Sequence, residues 1–200
     1  TPPAGTIRFA IFDHDGTIST LRHGWEAIME PVMMSAILGS GTHPEDTVEK
    51  IRDEVLDYID RSTGIQTILQ MEALRQMVCE AGFVPEDRVL SGREYKEIYN
   101  NALMVSVEER MTQVRSGERS AKDFIIPGAL DFLGCLRQQG IKLFLASGTD
   151  REDVMREADY LGYGSLFDGG IYGAVGDISK YSKKKLLREV IEKNGLGRGE

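Results

Sequence analysis

Apolar and polar residues follow each other in blocks that predict a parallel α/β core interrupted by a long helical segment. Residues 7–12 are an almost unbroken run of β-branched and aromatic side chains, which favours a strand buried on both faces of a sheet. After residue 17 the apolar positions recur at helical spacing for about a hundred residues. Breaks near residues 39–41, 64 and 82–92 divide this stretch into four predicted helices.

The strand pattern returns in the last third of the chain. We predict a helix over residues 129–139, a strand over 141–146 and a helix over 151–161, followed by a short strand over 170–173 and a final helix. A helix that ends at a glycine and leads into an apolar strand is the arrangement that a right-handed parallel crossover requires. The two ends of the chain are therefore expected to form one sheet.

Two carboxylates and a glycine turn directly follow the first predicted strand, as Asp13, Asp15 and Gly16. Ligands bind at the carboxyl edge of open α/β sheets, and side chains two residues apart point the same way on extended backbone. Carboxylates this close repel each other unless a cation lies between them or one keeps a proton. The pair therefore suits a nucleophile beside Mg²⁺ or an acid and base acting on one group, and an Asp-rich turn is the structural alternative.

A second polar cluster follows the strand predicted over residues 141–146. It contains Ser147, Gly148 and Thr149, and Thr149 with Glu152 has the spacing of a capping box for the next helix. A hydroxyl beside backbone amides at the start of a helix can bind phosphate. Taken alone, the pattern favours the simpler interpretation, a capped helix after a strand.

The sequence Asp13-His14-Asp15-Gly16-Thr17 after a buried strand resembles the first motif of the haloacid dehalogenase-like phosphohydrolases. The resemblance implies that Asp13 is the nucleophile, that Asp15 is the general acid and base, and that both hold Mg²⁺. Many members carry an apolar residue in place of His14, for which we expect a buried imidazole bonded to backbone. Dehalogenases and phosphonatases of the family lack an acid at the position of Asp15, so the resemblance favours a phosphatase or a phosphomutase.

The same resemblance extends over the polar cluster that follows the second strand and over a lysine-rich segment near residue 183. It implies that Ser147 and the Gly148 amide bind the phosphoryl oxygens. It also implies one lysine between the phosphate and the nucleophile. We assign this role to Lys183, which follows a predicted helix cap, and keep Lys180 as the alternative.

The fold implied by the resemblance is α/β, with a Rossmann-like parallel sheet core and an inserted all-helical cap domain. The core would comprise residues 1–20 and 125–200, and the cap would comprise residues 21–124. The family places a further acidic pair after one more strand, where it supplies Mg²⁺ ligands. The printed sequence ends near that strand's expected start, so we expect the core to continue beyond it.

The overall composition and charge of the chain limit the kinds of partner it can bind. The net charge of −8 and the pI near 5.0 argue against nucleic acid or an anionic membrane. No run of residues has the length of a membrane span, and a cytoplasmic location is expected. Cys79 and Cys135 lie far apart, so reduced and packed thiols are expected.

The functional prediction is a Mg²⁺-dependent phosphatase that hydrolyses a small phosphorylated metabolite, such as a sugar phosphate or a phosphoglycolate-like compound. The alternatives are a phosphomutase of the same family and a catalytically incomplete module that binds a phosphorylated metabolite. Polar residues of the predicted cap that could face substrate include Arg22 and Gln66. The oligomeric state is not determined by the sequence.

Overall fold

The structure is a computed structural model that describes residues 7–174, 183–193 and 195. Three strands form its sheet: β1 (Phe9–Phe12), β2 (Lys142–Asp150) and β3 (Gly170–Ala174). The described α-helices are α1 (Trp25–Leu38), α2 (Glu45–Arg61), α3 (Thr67–Ala81), α4 (Gly92–Arg115), α5 (Ala129–Gln138), α6 (Arg151–Tyr160) and α7 (Lys183–Lys193). This order confirms the predicted α/β class.

The sheet is parallel and has the order β1-β2-β3 among the described residues. Phe12 of β1 is aligned with Leu145 of β2, and Leu145 is in turn aligned with Ile171 of β3. Parallel alignment brings the carboxyl ends of all three strands to one edge. The turn after β1 therefore lies beside the last residues of β2.

The central strand β2 is the most deeply buried part of the sheet, and Leu143, Phe144 and Leu145 are fully buried. The prediction that β1 is buried on both faces is wrong, because Ile11 is 36% exposed. Among the described strands, β1 lies at one end of the sheet and pairs only with β2, so its side chains have fewer neighbours.

The segment between the two sheet portions folds into the helices expected from its periodicity. Pro31 lies inside α1, which continues from Trp25 to Leu38 without restarting. Met33, Leu74 and Val78 are fully buried and belong to the core of these helices. The described residues contain no helix long and apolar enough to cross a membrane.

Contacts between Cα atoms divide the chain into two compact units. One contains Thr1–His23 and Arg110–Glu200, and the other, called here the helical unit, contains Gly24–Glu109. The first unit holds the sheet, whereas the helical unit holds α1, α2, α3 and most of α4. The assignment of residues 21–124 to a cap stays a prediction.

Candidate active site

The turn after β1 is held by one backbone carbonyl. The carbonyl oxygen of His14 accepts hydrogen bonds from the amides of Thr17, Ile18 and Ser19, at 3.2, 2.9 and 3.1 Å. Gly16 has a φ of 71°, a left-handed conformation that favours glycine because a side chain would be strained there. This tight turn fixes the backbone on both sides of Asp15.

Asp13 is half-buried at the end of β1, and its Oδ1 accepts the amide hydrogen of His14 at 2.9 Å. Side chains of β2 hold the second carboxylate. The Thr149 hydroxyl donates to Oδ2 of Asp15 at 2.8 Å, and the Ser147 hydroxyl lies 3.3 Å from the same oxygen. The amide of Thr149 in turn donates to Ser147 Oγ at 3.0 Å. The two polar clusters found in the sequence therefore form one hydrogen-bonded group.

Asp15 is an ionised carboxylate at neutral pH. Burial alone would raise its pKa, but the close contact and charge of His14, the charge of Arg22 and the hydrogen bond from Thr149 outweigh burial and lower the pKa to about 2. The side chain keeps 34% of its surface exposed. A carboxylate that is both held and accessible is suited to accept a proton from water.

The structure buries His14 completely, as predicted, but its partner is a side chain rather than the expected backbone. Nε2 of the imidazole lies 2.7 Å from the hydroxyl of Tyr163, which is itself fully buried. Nδ1 lies 3.4 Å from Oδ1 of Asp15. Burial raises the pKa of Tyr163, and hence this phenol stays neutral and hydrogen-bonded. His14 is therefore part of the support of Asp15.

Behind Asp15, a buried ion pair connects the loop after β1 to α6. Nε and an Nη of Arg22 donate to Oε1 of Glu157 at 3.0 and 2.7 Å, and the same Nη donates to Asp153 at 3.1 Å. Glu157 is fully buried. Burial would lower the pKa of Arg22, but the negative charge of Glu157 outweighs burial and raises it. The candidate cap residue Arg22 thus lies in the unit that contains the sheet.

The predicted capping box of Thr149 and Glu152 is wrong. Helix α6 begins at Arg151, its N-cap is Asp150, and no side chain caps it by a hydrogen bond. Strand β2 continues to Asp150, because its pairing with β3 resumes there after an irregularity that follows Ala146. The Thr149 hydroxyl is thereby directed to Asp15 instead of the helix.

The structure brings Asp13, Asp15, Ser147 and Gly148 to one edge of the sheet. Lys183 is the first residue of α7, although its side chain lies outside the part of the chain that is described. Lys180 lies outside the described residues altogether. The assignment of catalytic and binding roles to these residues stays a prediction.

Residues of the helical unit include one further buried polar group. Gln70 donates to the Ser62 hydroxyl at 3.0 Å, and the nearby candidate Gln66 is only 5% exposed. Within the described residues, Nε2 of Gln66 has no hydrogen-bond partner.

The expectation of packed thiols is wrong, because Cys79 and Cys135 are both exposed.

Three side chains of the network around Asp15 were missed by reasoning from the sequence: Thr149 as a partner of Asp15, and Glu157 and Tyr163 altogether. The role of Thr149 had a local signal, because Ser147 and Thr149 are two residues apart and share a face on extended backbone. Glu157 and Tyr163 had no such signal, since they are 135 and 149 residues from their partners. Only the fold brings them together.

Two carboxylates at the end of the first strand face hydroxyls at the end of the second, at the edge where open α/β sheets bind their ligands. A sequence model of the haloacid dehalogenase-like hydrolases matches residues 7–196. The chain belongs to this family, which confirms the resemblance found in the first motif. No curated protein sequence matches the chain significantly.

Two solved structures share the fold. A predicted phosphoglycolate phosphatase from Haemophilus somnus has a TM-score of 0.56 and 14% identity, over 96% of this chain and 73% of the other. A haloacid dehalogenase-like family hydrolase from Streptococcus pneumoniae has a TM-score of 0.54 and 17% identity, over 96% and 71% of the two chains. At these identities the comparison shows the fold alone.

Proposed function

We propose that this protein is a Mg²⁺-dependent phosphatase that hydrolyses a small organic phosphate through an aspartyl-phosphate intermediate. The observation that carries the proposal is the pair of neighbouring carboxylates at the end of β1, one half-exposed and the other held by the Thr149 hydroxyl. Membership in the haloacid dehalogenase-like hydrolases supports it. The Haemophilus protein described as a predicted phosphoglycolate phosphatase suggests the class of substrate.

In the first step, a carboxylate oxygen of Asp13 attacks phosphorus in line with the leaving group. An oxygen–phosphorus bond forms to Asp13, the bond from phosphorus to the substrate oxygen breaks, and Asp15 gives a proton to that oxygen. Asp15 is ionised in the resting protein, with a pKa of about 2. The negative charge of an arriving phosphoryl group raises this pKa, so Asp15 gains its proton together with substrate.

In the second step, Asp15 is the base. It takes a proton from a water molecule that attacks phosphorus, the bond to Asp13 breaks, and inorganic phosphate leaves. Hydrogen bonds from Thr149 and Ser147 keep Asp15 in one orientation during both steps. Positioning of this kind lowers the barrier because the reacting groups need not be ordered again. Ser147 and the Gly148 amide are the proposed ligands of the phosphoryl oxygens, with Lys183 or Lys180 as the neutralising cation.

The donor atoms at this edge fit Mg²⁺, which prefers hard oxygen ligands. Asp13 and Asp15 are both only partly buried at the end of the strand, which leaves an approach for a hydrated ion. The carboxylate of Asp13 and the backbone carbonyl of Asp15 would hold it. When bound, the ion would neutralise the phosphoryl oxygens on which charge accumulates.

The proposed cap includes the helical unit and would exclude water and select the leaving group. The core would comprise residues 1–20 and 125–200 and the cap residues 21–124. The phosphorylated substrate is expected to be small, such as a sugar phosphate or a phosphoglycolate-like compound. A cytoplasmic location agrees with such a substrate.

The test is hydrolysis of a panel of small organic phosphates by the full-length protein, with Mg²⁺ or with EDTA. We expect turnover that requires Mg²⁺ and that falls by at least about a thousandfold in Asp13→Asn, because the amide cannot act as the nucleophile. The conservative substitution keeps the size of the side chain, so a thermal melt should change little.

The matched control is Asp168→Asn, which alters a carboxylate at the other end of β2, where Asp168 accepts the amide hydrogen of Leu143. Its turnover should stay close to that of the wild type. Phosphate binding without turnover of any substrate would contradict the proposal and would favour the binding module. Turnover that persists in Asp13→Asn would contradict the nucleophilic role of Asp13.

A further inference from the structure

Three buried side-chain atoms without hydrogen-bond partners converge behind the turn that follows β1. Within the described residues, they are Nδ1 of His14, Oδ1 of Asp15 and Oε2 of Glu157. His14 and Glu157 are both fully buried. An unpartnered polar atom in the interior costs free energy, so three at one place indicate a missing common partner.

The spacing of the three residues is that of a metal site. One potential ligand atom from each of His14, Asp15 and Glu157 lies within 4.8 Å of the other two. One imidazole nitrogen with two carboxylate oxygens is a donor set that suits zinc and similar transition metals better than Mg²⁺. Water can complete the fourth position around such an ion.

The local charges favour a divalent cation. Asp15, Asp153 and Glu157 face the guanidinium of Arg22, so the group has an excess of two negative charges before His14 is counted. Arg22 binds Oε1 of Glu157 and Oδ2 of Asp153, which leaves Oε2 of Glu157 directed elsewhere. One doubly charged ion would balance the remaining carboxylates.

The imidazole of His14 is held as a metal ligand usually is. Its Nε2 lies 2.7 Å from the hydroxyl of Tyr163. If Nε2 carries the proton and donates it to that oxygen, Nδ1 presents a lone pair to Asp15 and Glu157. Metal-ligating histidines generally use their second nitrogen for an outer partner of this kind.

We propose that His14, Asp15 and Glu157 form a second cation site, separate from the Mg²⁺ position, that binds a divalent transition metal of the zinc class. An ion in this site would bind Oδ1 of Asp15, the oxygen opposite the one that accepts from Thr149. This consequence rests on the proposed function: zinc would inhibit the phosphatase, because a zinc-bound Asp15 cannot act as its acid and base. Magnesium would not relieve this inhibition, because it binds elsewhere.

The test is a calorimetric titration of the full-length protein with Zn²⁺ in the presence of excess Mg²⁺. It uses a Cys79→Ser/Cys135→Ser background, because the two exposed thiols would bind zinc themselves. We expect one zinc ion per chain. Glu157→Gln and His14→Gln should each weaken binding by more than about tenfold, since each removes one ligand and keeps a hydrogen-bonding group of similar size.

Two further variants separate the site from unspecific binding. Tyr163→Phe removes only the outer partner of His14 and should weaken zinc binding by about tenfold. His23→Gln changes an exposed histidine and should leave zinc binding unchanged. Zinc-edge X-ray absorption of the background protein needs no ligand variant, and it should show nitrogen and oxygen ligands that include one imidazole.

Absence of stoichiometric zinc binding would overturn the inference and would assign the three atoms to a shared proton or water. Binding that survives both Glu157→Gln and His14→Gln would overturn it as well. A protein that binds zinc as expected but hydrolyses no phosphate would contradict the proposed function and leave the zinc site standing. An active phosphatase that binds no zinc would contradict the zinc site and leave the proposed function standing.

Discussion

At the scale of single residues, the hydroxyl of Thr149 is the shortest contact that Asp15 makes with the neighbouring strand. It donates to Oδ2 at 2.8 Å, whereas the Ser147 hydroxyl lies at 3.3 Å. A hydrogen bond to a charged group is worth more than one between neutral groups. Thr149 is therefore expected to fix the orientation of Asp15 and to contribute, after His14 and Arg22, to the lowering of its pKa.

Thr149→Val removes this hydroxyl and keeps the shape of the side chain. Because the hydrogen bond lowers the pKa of Asp15, its loss should raise that pKa. The acid limb of kcat, which includes the step in which Asp15 is the base, should then move to higher pH. We also expect kcat/KM at the optimum to fall roughly tenfold, the equivalent of about 1.4 kcal/mol. A pH–rate profile measures both effects.

The control for this substitution is Thr112→Val, which removes an exposed hydroxyl from α4. Its profile should match that of the wild type. An acid limb that stays in place in Thr149→Val would show that another group than Asp15 governs it.

The site residues that could be recognised from the sequence were those that lie close together in it. Asp13 and Asp15 were found because they follow an apolar run and precede a glycine turn. Glu157 and Tyr163 were not, since an acid or a phenol within a helical or loop segment has an ordinary surface role as its best interpretation. Their burial depends on packing that a single sequence does not display.

At the scale of elements, strand β3 packs closely against the junction of β2 and α6. A Cβ atom on Gly173 would lie 2.5 Å from Cα of Arg151 and 2.7 Å from the carbonyl oxygen of Thr149. These are backbone atoms, which cannot turn aside as the end of a side chain could. Gly173 is thus required for the close approach that places Thr149.

Gly173→Ala should therefore displace the 149–151 backbone. We expect the free energy of unfolding to fall by about 1–3 kcal/mol, as in other overpacked interiors, and kcat/KM to fall with it because Thr149 moves away from Asp15. Urea denaturation and steady-state kinetics measure the two losses. Unchanged activity in a destabilised variant would contradict the link to Thr149.

Gly134→Ala is the matched control, since Gly134 lies within α5 and a Cβ there would have no atom within 4 Å. Alanine has the better helix propensity. This variant should raise the free energy of unfolding by about 0.5–1 kcal/mol and leave kcat/KM unchanged.

The Arg22–Glu157 pair joins the loop after β1 to α6, and its burial makes it sensitive to the loss of either partner. Arg22→Met should lower the free energy of unfolding by about 3–5 kcal/mol, because it leaves the fully buried Glu157 without its cation. Adding Glu157→Gln removes the buried negative charge that has lost its cation, and the double variant should recover much of the lost free energy of unfolding. Equal stabilities of the single and double variants, measured in urea, would contradict this account.

Element boundaries were predictable where glycine or a change of periodicity marked them, as at the ends of α3 and α5. The end of β2 was not, because Thr149 and Glu152 have the spacing of a helix cap while the strand continues to Asp150. Pairing with β3 determined this boundary, and such pairing leaves no local signal.

At the scale of the whole molecule, each of the two units has a buried core of its own. Leu133 of α5 and the central residues of β2 are fully buried in the unit that contains the sheet, and Leu74 of α3 is fully buried in the helical unit. The alternation of strand and helix patterns was sufficient to predict the α/β class. It was not sufficient to predict the exposure of β1, since that depends on which strands are its neighbours.

Groups of residues with separate cores should unfold as separate cooperative units, which native-state hydrogen exchange can resolve. Leu74→Ala opens a cavity in the helical unit and should cost about 2–5 kcal/mol there. We expect lower protection of the amides of α1, α2 and α3, with the amides of β2 unchanged.

Leu133→Ala is the matched variant in the other unit. It should lower the protection of the β2 amides and leave the protection of those three helices unchanged. Equal losses in both units from either substitution would show instead that the chain unfolds as one cooperative structure, and the helical unit could then not open independently of the sheet.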